Sequence, residues 1–408
     1  MNIEIITIGD ELLIGQVVDT NSAWMSKKLS EVGFEVIYIT SIKDDYNAIF
    51  SAIEDGFNRA DVLLLTGGNG PTKDDITKNT LCDYFEDHLV LDNEVVENIN
   101  TLFKEKNLQI NELTHNQAFV PKSSTVIQNK VGTAPVLWFE KNKKILVSMP
   151  GVPFEMHYAM QEEIIPRLTA QFEAKVFLKH VLYTHGVSES ALAMQLNDFE
   201  EELPNGFVLA YLPGGGIIRL RLSVKGEEHV DEMKKQVEKL KKLIGSYFLI
   251  ESEGSLEEAL GAVLKDRGLS ISLAESCSGG YIAHLFTSMS GASDYFKGGV
   301  VSYANSAKVN LLHVNLASLD MYGAVSEQVV EEMAKGALEA FSTDCAIAVS
   351  GIAGPDGGTI EKPVGTVWIC TICNDAVVTK QYMFGSSREN NIRRSATMAI
   401  VQMLKLIG

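Results

Sequence analysis

The chain has 408 residues, which corresponds to two or three domains at about 150 residues per domain. Its apolar fraction of 46% and charged fraction of 22% are typical of a globular protein and exclude a disordered or fibrous chain. The 35 basic and 53 acidic residues give a net charge of −18, which argues against wrapping nucleic acid or an anionic membrane, since both require a basic surface. A small anionic substrate needs only a local positive pocket.

The cysteine content and the hydropathy of the chain indicate its compartment. The cysteines show no framework of regular spacings, which suits a reducing compartment. They are Cys82, Cys277, Cys345, Cys370 and Cys373. The first residues lead into a strand-like run without the features of a secretory leader, and no apolar stretch reaches the roughly 18 residues that a membrane span needs. We therefore expect a cytoplasmic protein that has no membrane partner.

The first part of the chain alternates apolar runs with helical patterns. Apolar runs predict strands at residues 3–8, 36–40, 62–65 and 145–149, and helical spacing predicts helices at residues 21–32 and 48–57. This succession is typical of βαβ units, in which neighbouring strands run parallel. We therefore predict an α/β domain with a parallel sheet over residues 1–170.

Two further segments follow. Residues 175–252 are predicted to form a small α+β module, because an alternating strand at 217–224 precedes an amphipathic helix at 230–244. Residues 255–408 return to the α/β pattern. Their predicted strands are 270–274, 299–302, 345–349 and 365–372, and their predicted helices are 256–264, 281–289, 326–341 and 393–407.

A glycine-rich loop follows the predicted strand at residues 62–65. Gly67, Gly68 and Gly70 allow backbone N–H groups to approach a ligand closely. The helix expected after Pro71 could hold a phosphate at its positive end. The loop is therefore a candidate nucleotide site, although a glycine loop alone is often only structural.

Two adjacent carboxylates, Asp74 and Asp75, close this loop. Near phosphates they would suit a bridging divalent cation. The alternative is structural, because residues 72–75 also form a capping box in which Asp75 satisfies backbone donors. Glycines and acids also follow two other predicted strands, at residues 9–15 and 150–155. They favour the ligand site, since open α/β sheets bind ligands at the carboxyl ends of their strands.

These motifs resemble the amino-terminal domain of the CinA (competence/damage-inducible protein A) family, which is similar to three-layer, molybdopterin-binding-like folds of the MoaB/MogA type. The matching segments are residues 8–12, 21–22, 66–68, 70–72, 74–75 and 150–153. The resemblance implies hydrolysis of ADP-ribose to AMP and ribose 5-phosphate with a divalent metal ion (Mg, Mn or Co). The implied metal ligands are Asp10, Asp74 and Asp75, and the implied substrate contacts are Gly9, Glu11, Asn21, Gly67, Gly68, Gly70, Thr72, Pro150, Gly151 and Pro153. The family usually has leucine at the position of Asn69, where we expect only the backbone to contribute.

Ser276 lies at a second candidate site, on a predicted turn between a strand and a helix. A nucleophile on such a turn is exposed, and the N–H groups after it face a developing oxyanion. His284, in the following helix, is better explained as a helix-face residue than as a general base. Cys277 is a rival nucleophile, although a cysteine at such a place is more often buried and inert. Lysine can replace histidine when burial lowers its pKa, but Lys308 alone would be interpreted as a solvated helix residue.

A second glycine loop, at residues 350–358, follows another predicted strand and could wrap a phosphate or ribose. Arg388, Arg393 and Arg394 crowd the start of the last helix, where an anionic ligand would find positive charge, although surface solvation explains each arginine taken singly. The pair Cys370 and Cys373 lacks further metal ligands and is better explained by core packing.

The third segment resembles the CinA carboxy-terminal domain, the nicotinamide-mononucleotide deamidase (PncC) family. The matching segments are residues 274–277, 279–280, 303, 305, 308, 323–326, 350–358 and 363–367. The resemblance implies a Ser/Lys amidohydrolase without a cofactor, in which Ser276 attacks the carboxamide and Lys308 takes its proton. An acyl-enzyme forms, ammonia leaves, and water releases nicotinate mononucleotide. Tyr303 is also implied to be catalytic, and the implied substrate contacts are Cys277, Ser278, Gly279, Gly280, Asn305, Ser350, Gly351, Gly354, Arg388 and Arg393.

The middle segment resembles the KH-like linker domain of full-length CinA proteins. Residues 176–254 carry 9 basic and 12 acidic side chains, so RNA binding is not expected. The chain as a whole is therefore predicted to be a bifunctional hydrolase of pyridine-nucleotide salvage that acts on nicotinamide mononucleotide and ADP-ribose. We expect a homodimer, since two-fold assemblies are commonest.

Two alternatives remain open. The amino-terminal domain could bind molybdopterin or a nucleotide without turning it over, because relatives with one fold differ in chemistry. The chain could also be an interaction protein in competence or recombination, as the family name suggests.

Overall fold

The computed structural model describes residues 1–72, 75–105, 107, 109–174 and 176–408. The chain divides into two compact units, Met1–Phe177 and Leu178–Gly408. Helices and strands alternate through both units, so the predicted α/β class is confirmed. Within the described ranges, no helix is both long and apolar enough to cross a membrane.

The first unit is built from eight strands and eight helices in the described residues. The strands are β1 (Asn2–Ile8), β2 (Glu35–Ile42), β3 (Val62–Thr66), β4 (Leu89–Leu91), β5 (Phe119–Pro121), β6 (Thr125–Ile127), β7 (Val136–Lys141) and β8 (Lys144–Met149). The helices are α1 (Asp10–Leu13), α2 (Thr20–Glu31), α3 (Tyr46–Arg59), α4 (Thr77–Phe85), α5 (Asn93–Glu105), α6 (Glu112–His115), α7 (Pro153–Ala159) and α8 (Ile165–Gln171). A π-helical turn, Met160–Ile164, joins α7 to α8.

Six strands form one sheet in the order β2-β1-β3-β8-β7-β6, with helices on both faces. Successive side chains of a strand point to opposite faces, so β1 contributes to two cores. Ile3 and Ile5 pack with α2 and α7 on one face. Ile6 and Ile8 pack with α3 and α4 on the other. This arrangement is the predicted three-layer domain.

The sequence predicted a parallel sheet, but only part of this sheet is parallel. β2, β1, β3 and β8 run parallel, whereas β7 and β6 are antiparallel additions at one edge. The turn between β7 and β8 uses Asn142 and Lys143 in the left-handed region, with φ of 55° and 64°. Two such residues are typical of the tight turn that joins antiparallel strands.

The second unit contains the rest of the strands and helices. The strands are β9 (Phe177–His185), β10 (Val208–Gly214), β11 (Ile217–Lys225), β12 (Phe248–Glu251), β13 (Ile271–Glu275), β14 (Phe296–Val301), β15 (Cys345–Gly351), β16 (Thr366–Cys373) and β17 (Ala376–Met383). The helices are α9 (Glu189–Glu201), α10 (Val230–Ile244), α11 (Leu256–Asp266), α12 (Tyr281–Thr287), α13 (Asn305–Leu312), α14 (Leu316–Tyr322), α15 (Glu327–Phe341) and α16 (Arg388–Ile407).

The first sheet of this unit has the order β10-β11-β9-β12. One of its faces packs on α9 and α10, where Leu182 of β9 is buried. The adjacent side chain, Tyr183, points the other way and packs with Leu249 and Ile250 into the core that surrounds α11 and α16. The α+β module therefore shares an apolar core with the segment that follows it.

The second sheet of this unit has the order β14-β13-β15-β16-β17. β14, β13 and β15 run parallel to one another. β16 runs antiparallel to β15, and β17 runs antiparallel to β16. β17 was not predicted, because it is an edge strand with mostly exposed residues and so lacks an apolar alternation. Helix α16 begins at Arg388, five residues before the predicted start at Arg393, and this places Arg388 in its first turn.

Two of the cysteines differ from the expectation of unpaired thiols. Cys345 and Cys373 lie opposite each other in the antiparallel pair β15 and β16, and their sulfurs form a disulfide. Cys82, Cys277 and Cys370 are free and buried. The predicted packing in the core is therefore found for Cys370, whereas Cys373 forms a disulfide with Cys345.

A buried ion pair in the first unit gives a test of the fold. Glu4 of β1 is fully buried, and its carboxylate accepts hydrogen bonds from Arg59 at 2.5 and 2.7 Å and from Thr40 at 2.7 Å. We expect Arg59→Ala to lower the free energy of unfolding by about 3 kcal/mol, because it leaves a buried carboxylate without its cation. Urea unfolding followed by tryptophan fluorescence measures the change.

The control for this variant is Lys28→Ala. Lys28 forms a partly exposed pair with Glu31 at 2.8 Å, and losing it should cost less than about 0.5 kcal/mol. Equal losses in the two variants would contradict the role given to Arg59.

Candidate active site

The carboxyl ends of three neighbouring strands meet at a cavity in the second unit. Ser276 directly follows β13, Lys308 lies in α13 after β14, and β15 ends at Gly351. Since these strands are adjacent and parallel, their carboxyl ends lie at one edge of the sheet. The cavity has a volume of about 200 Å³. The predicted residues that line it are Ser276, Cys277, Tyr303, Asn305, Lys308, Ser350, Gly351 and Arg388.

A hydrogen bond joins the predicted nucleophile to the predicted base. The amine nitrogen of Lys308 lies 3.0 Å from the hydroxyl oxygen of Ser276. Lys308 is 1% exposed and Ser276 is 8% exposed. Burial lowers the pKa of Lys308 from its ordinary value, because the ammonium form loses its hydration. The interpretation of Lys308 as a solvated helix residue is therefore wrong.

The surroundings of the amine suit its neutral form. Two backbone carbonyls also lie near the nitrogen, that of Ser302 at 2.7 Å and that of Tyr303 at 3.5 Å. A neutral amine has two N–H donors and one lone pair. When the two donors bind these carbonyls, the lone pair is left to accept the proton of the Ser276 hydroxyl. The arrangement can therefore perform general-base activation of a serine.

Burial disfavours the reactive thiolate form of Cys277, the rival nucleophile. Its thiol is buried, and burial raises its pKa to about 12. A thiol needs to be a thiolate to act as a nucleophile. Ser276 is therefore the only one of the two that this cavity activates.

Arg388 and Tyr303 form a polar wall of the cavity. The Arg388 guanidinium donates to the carbonyl of Gly354 at 2.9 Å and to the hydroxyl of Tyr303 at 3.2 Å. The Tyr303 phenol is thus engaged with Arg388, and the part of Tyr303 that approaches Lys308 is its backbone carbonyl. Arg388 can present positive charge to an anionic group at this wall.

Several predicted residues do not line the cavity. Arg393 is turned away and binds Glu389 at 2.8 Å, as expected for a solvated arginine. His284 is exposed on its helix. Ser278, Gly279, Gly280 and Gly354 shape the adjoining turns without lining it. Three lining residues, Ala324, Val325 and Ala353, lie in segments that carry the family resemblance but were not among the predicted substrate contacts, because small apolar residues carry no chemical signal.

The first unit has a larger pocket, of about 460 Å³, where the predicted glycine segments meet. Asn21 donates to the carbonyl of Gly151 at 2.8 Å and to the hydroxyl of Thr66 at 3.3 Å, and so ties two strand ends together. Gly67 has a φ of 107°, and a Cβ there would meet the carbonyl of Ile8. The predicted contacts that line this pocket are Gly9, Glu11, Asn21, Gly67, Gly68, Gly70, Gly151 and Pro153, whereas Thr72 and Pro150 do not line it.

Asn69 does more than the sequence suggested. Its side chain is 3% exposed and donates to the hydroxyl of Ser148 at 2.7 Å and to the carbonyl of Met149 at 2.9 Å. The expectation that only its backbone contributes is therefore wrong. The amide joins the glycine loop to the end of β8, a role that leucine has no polar atoms to perform.

Two of the three predicted metal ligands, Asp10 and Asp75, lie in the described residues, and both line the pocket of the first unit. The Asp75 carboxylate accepts hydrogen bonds from the N–H groups of Gly70 and Thr72, both at 2.8 Å, and from the Thr72 hydroxyl. This is the structural alternative, in which Asp75 satisfies loop donors. Asp10 is exposed, and no three His, Cys, Asp or Glu side chains converge within the described ranges. Asp74 lies outside those ranges.

The pocket of the first unit is acidic. Five carboxylates line it, and its described lining contains no Lys, Arg or His. Lys78 lies in an adjoining cavity that shares Gly70 and Asp75 with the pocket, and burial lowers the pKa of Lys78 to about 8. An anionic ligand would have to rely on backbone N–H groups for most of its contacts in the described part.

Comparisons with known proteins cover the whole chain. Residues 253–407 match the family described as the CinA C-terminal domain, and residues 4–170 match the probable molybdopterin binding domain family. A "CinA-like protein" of Flavobacterium psychrophilum is 42% identical and covers 100% of this chain and 99% of its own. A "putative competence-damage inducible protein" of Caldicellulosiruptor saccharolyticus is 36% identical over 99% of this chain and 98% of its own. A crystal structure of a CinA superfamily protein from Klebsiella pneumoniae is 32% identical, with a TM-score of 0.37, over 37% of this chain and 95% of that chain.

The protonation state of Cys277 can be tested directly. Because its thiol is buried and its pKa is about 12, we expect iodoacetamide at pH 8 to leave Cys277 unmodified in the folded protein. Peptide mass mapping measures the modification, and protein unfolded in guanidinium chloride is the control that should react fully. Rapid alkylation of Cys277 in the folded protein would restore it as a rival nucleophile.

Proposed function

Because the chain belongs to the CinA family, we propose that its carboxy-terminal part is a Ser/Lys amidohydrolase that deamidates nicotinamide mononucleotide. The observation that carries the proposal is the 3.0 Å hydrogen bond between the Ser276 hydroxyl and the buried amine of Lys308. We infer the identity of the substrate from the resemblance of residues 274–367 to the deamidase family. The cavity of about 200 Å³ suits one aromatic ring with its carboxamide.

The proposed reaction proceeds in two stages. The Ser276 oxygen attacks the carboxamide carbon while its proton passes to the neutral amine of Lys308. The tetrahedral intermediate collapses, the C–N bond breaks, and Lys308 returns the proton to the leaving ammonia. Water then attacks the acyl-enzyme, again with Lys308 as base, and releases nicotinate mononucleotide and free Ser276.

Two groups at the cavity stabilise negative charge in the proposed reaction, one at the oxyanion and one at the substrate phosphate. The N–H of Ser276 already donates to the carbonyl of Val349 at 2.9 Å. Cys277 lines the cavity, and its N–H donates to no backbone carbonyl in the described residues, so we assign this N–H to the oxyanion. Arg388, at the polar wall, supplies positive charge for the substrate phosphate.

Because Lys308 is the proposed general base, we expect the reaction rate to depend on pH. The rate should rise with pH as Lys308 loses its proton, with a midpoint below its ordinary pKa of 10.5, because burial favours the neutral amine. Lys308→Arg should be inactive across the whole range, since a guanidinium stays protonated. Ammonia release from nicotinamide mononucleotide measures the rate.

Ser276→Ala is the control and should lower the rate by at least about 1000-fold. Full ammonia release in that variant would refute the proposed nucleophile. A Lys308→Arg variant with the profile of the wild-type chain would refute the proposed base.

For the first unit we propose a nucleotide pocket that hydrolyses ADP-ribose to AMP and ribose 5-phosphate. The pocket of about 460 Å³ supports a ligand of that size, and the glycines that line it let a ligand approach the backbone closely. The proposal includes a divalent metal ion because the family resemblance implies one. Because the described carboxylates form no metal cluster, we assign no step to a metal ion.

The variant Asp75→Asn tests this pocket and the role of its carboxylate. We expect AMP release from ADP-ribose by the intact chain to fall at least about tenfold, because the loop loses charged acceptors for the N–H groups of Gly70 and Thr72. Excess Mg²⁺ or Mn²⁺ should not restore the rate, since this carboxylate holds the loop. Restoration by metal would make Asp75 a ligand instead.

The wild-type chain with and without EDTA is the control. ADP-ribose that binds in calorimetry without any release of AMP would favour the alternative of a binding module.

A further inference from the structure

We propose that Glu275, the residue before the nucleophile, is a positioning residue that holds both Ser276 and Lys308 in place. The inference rests on the proposed amidohydrolase function. The motif around Ser276 contains this glutamate, but the reaction described above gives it no role.

The side chain of Glu275 fixes the turn on which Ser276 lies. Glu275 is 1% exposed, and its carboxylate accepts hydrogen bonds from the N–H groups of Gly280 at 3.1 Å, Ile282 at 3.1 Å and Ala283 at 2.8 Å. These donors belong to the first turn of α12 and the residue before it. The carboxylate thus closes the loop of five residues that begins at Ser276.

The backbone of Glu275 fixes the base. Its carbonyl accepts a hydrogen bond from the N–H of Ser302 at 2.8 Å. The carbonyl of Ser302 in turn accepts the hydrogen bond from the amine of Lys308 at 2.7 Å. One residue is therefore linked to the nucleophile through its side chain and to the base through its main chain.

A carboxylate suits this place better than a neutral group. Its charge is compensated by N–H donors, and in the described residues no basic side chain pairs with Glu275. Glutamine has one accepting oxygen, so its NH₂ group would face at least one of the three N–H donors. We expect the turn to shift in Glu275→Gln and the distance between Ser276 and Lys308 to increase.

The same carboxylate excludes one way of binding substrate. The N-terminus of a helix often binds phosphate, but Glu275 already uses the free N–H groups of α12. The anionic group of the substrate must be bound by another part of the cavity wall, as proposed above for Arg388.

The test uses diisopropyl fluorophosphate, which reports the reactivity of Ser276 independently of the natural substrate. In this reaction the Ser276 oxygen forms a bond to phosphorus, fluoride leaves, and the hydroxyl proton passes to Lys308. Intact mass spectrometry of the full chain gives the labelling rate as a function of pH. Ser276→Ala shows whether the label is specific.

We expect Glu275→Gln to be labelled about 10- to 100-fold more slowly than the wild-type chain, as for a displaced catalytic pair. The acid limb of its profile should move to higher pH, because a displaced turn lets water reach Lys308 and so removes part of the burial that lowers its pKa. Glu275→Asp keeps the charge but has a shorter reach. It should also be labelled slowly, and it keeps the test valid if Glu275→Gln does not fold.

The matched control is Glu258→Gln. Glu258 caps α11 in the same unit and accepts from the N–H of Ser255 at 2.8 Å, away from the cavity lining, so this variant should be labelled at the wild-type rate. Wild-type labelling in Glu275→Gln, or slower labelling without a pH shift, would overturn the role of Glu275. Equal labelling of the wild-type chain and Ser276→Ala would instead overturn the proposed function and the positioning role with it.

Discussion

The contact between a buried lysine amine and a serine hydroxyl is the interaction on which the carboxy-terminal site depends. An amine in water is almost always protonated at neutral pH and has no lone pair to accept a proton. In the proposed mechanism Lys308 can act as a base because it is buried beside Ser276 and Ser302, with Leu312 of the same helix in the apolar core behind it. The packing of α13 is therefore part of the chemistry, since looser packing would hydrate the amine and restore its charge.

The sequence predicted the parts of the fold that have strong apolar patterns. The strands β1, β3 and β13 were found because almost all of their residues are buried. β17 was missed because its side chains are mostly exposed, and the antiparallel edges were missed because strand direction leaves no mark on apolar periodicity. The early start of α16 was missed because Arg388 to Asn391 look like a polar loop.

The candidate sites could be predicted in outline but not in their hydrogen bonds. The family resemblance assigned Ser276, Lys308 and Ser350 to one site, and the structure brings them to one cavity because parallel strands bring their carboxyl ends together. The sequence alone left Lys308 as a surface residue, since burial depends on contacts that are distant along the chain. The amide contacts of Asn69 and the loop contacts of Asp75 were likewise undetermined, because one residue type can serve a ligand or the backbone.

The apolar face shared by the α+β module and the carboxy-terminal segment affects how this protein can be divided. Tyr183, Leu249 and Ile250 cover part of the core around α11 and α16. A fragment cut at residue 254 would leave that patch open to water, and exposed patches of this kind favour self-association. Truncation studies of this chain therefore need a fragment that starts before β9, or polar replacements on the uncovered faces of α11 and α16.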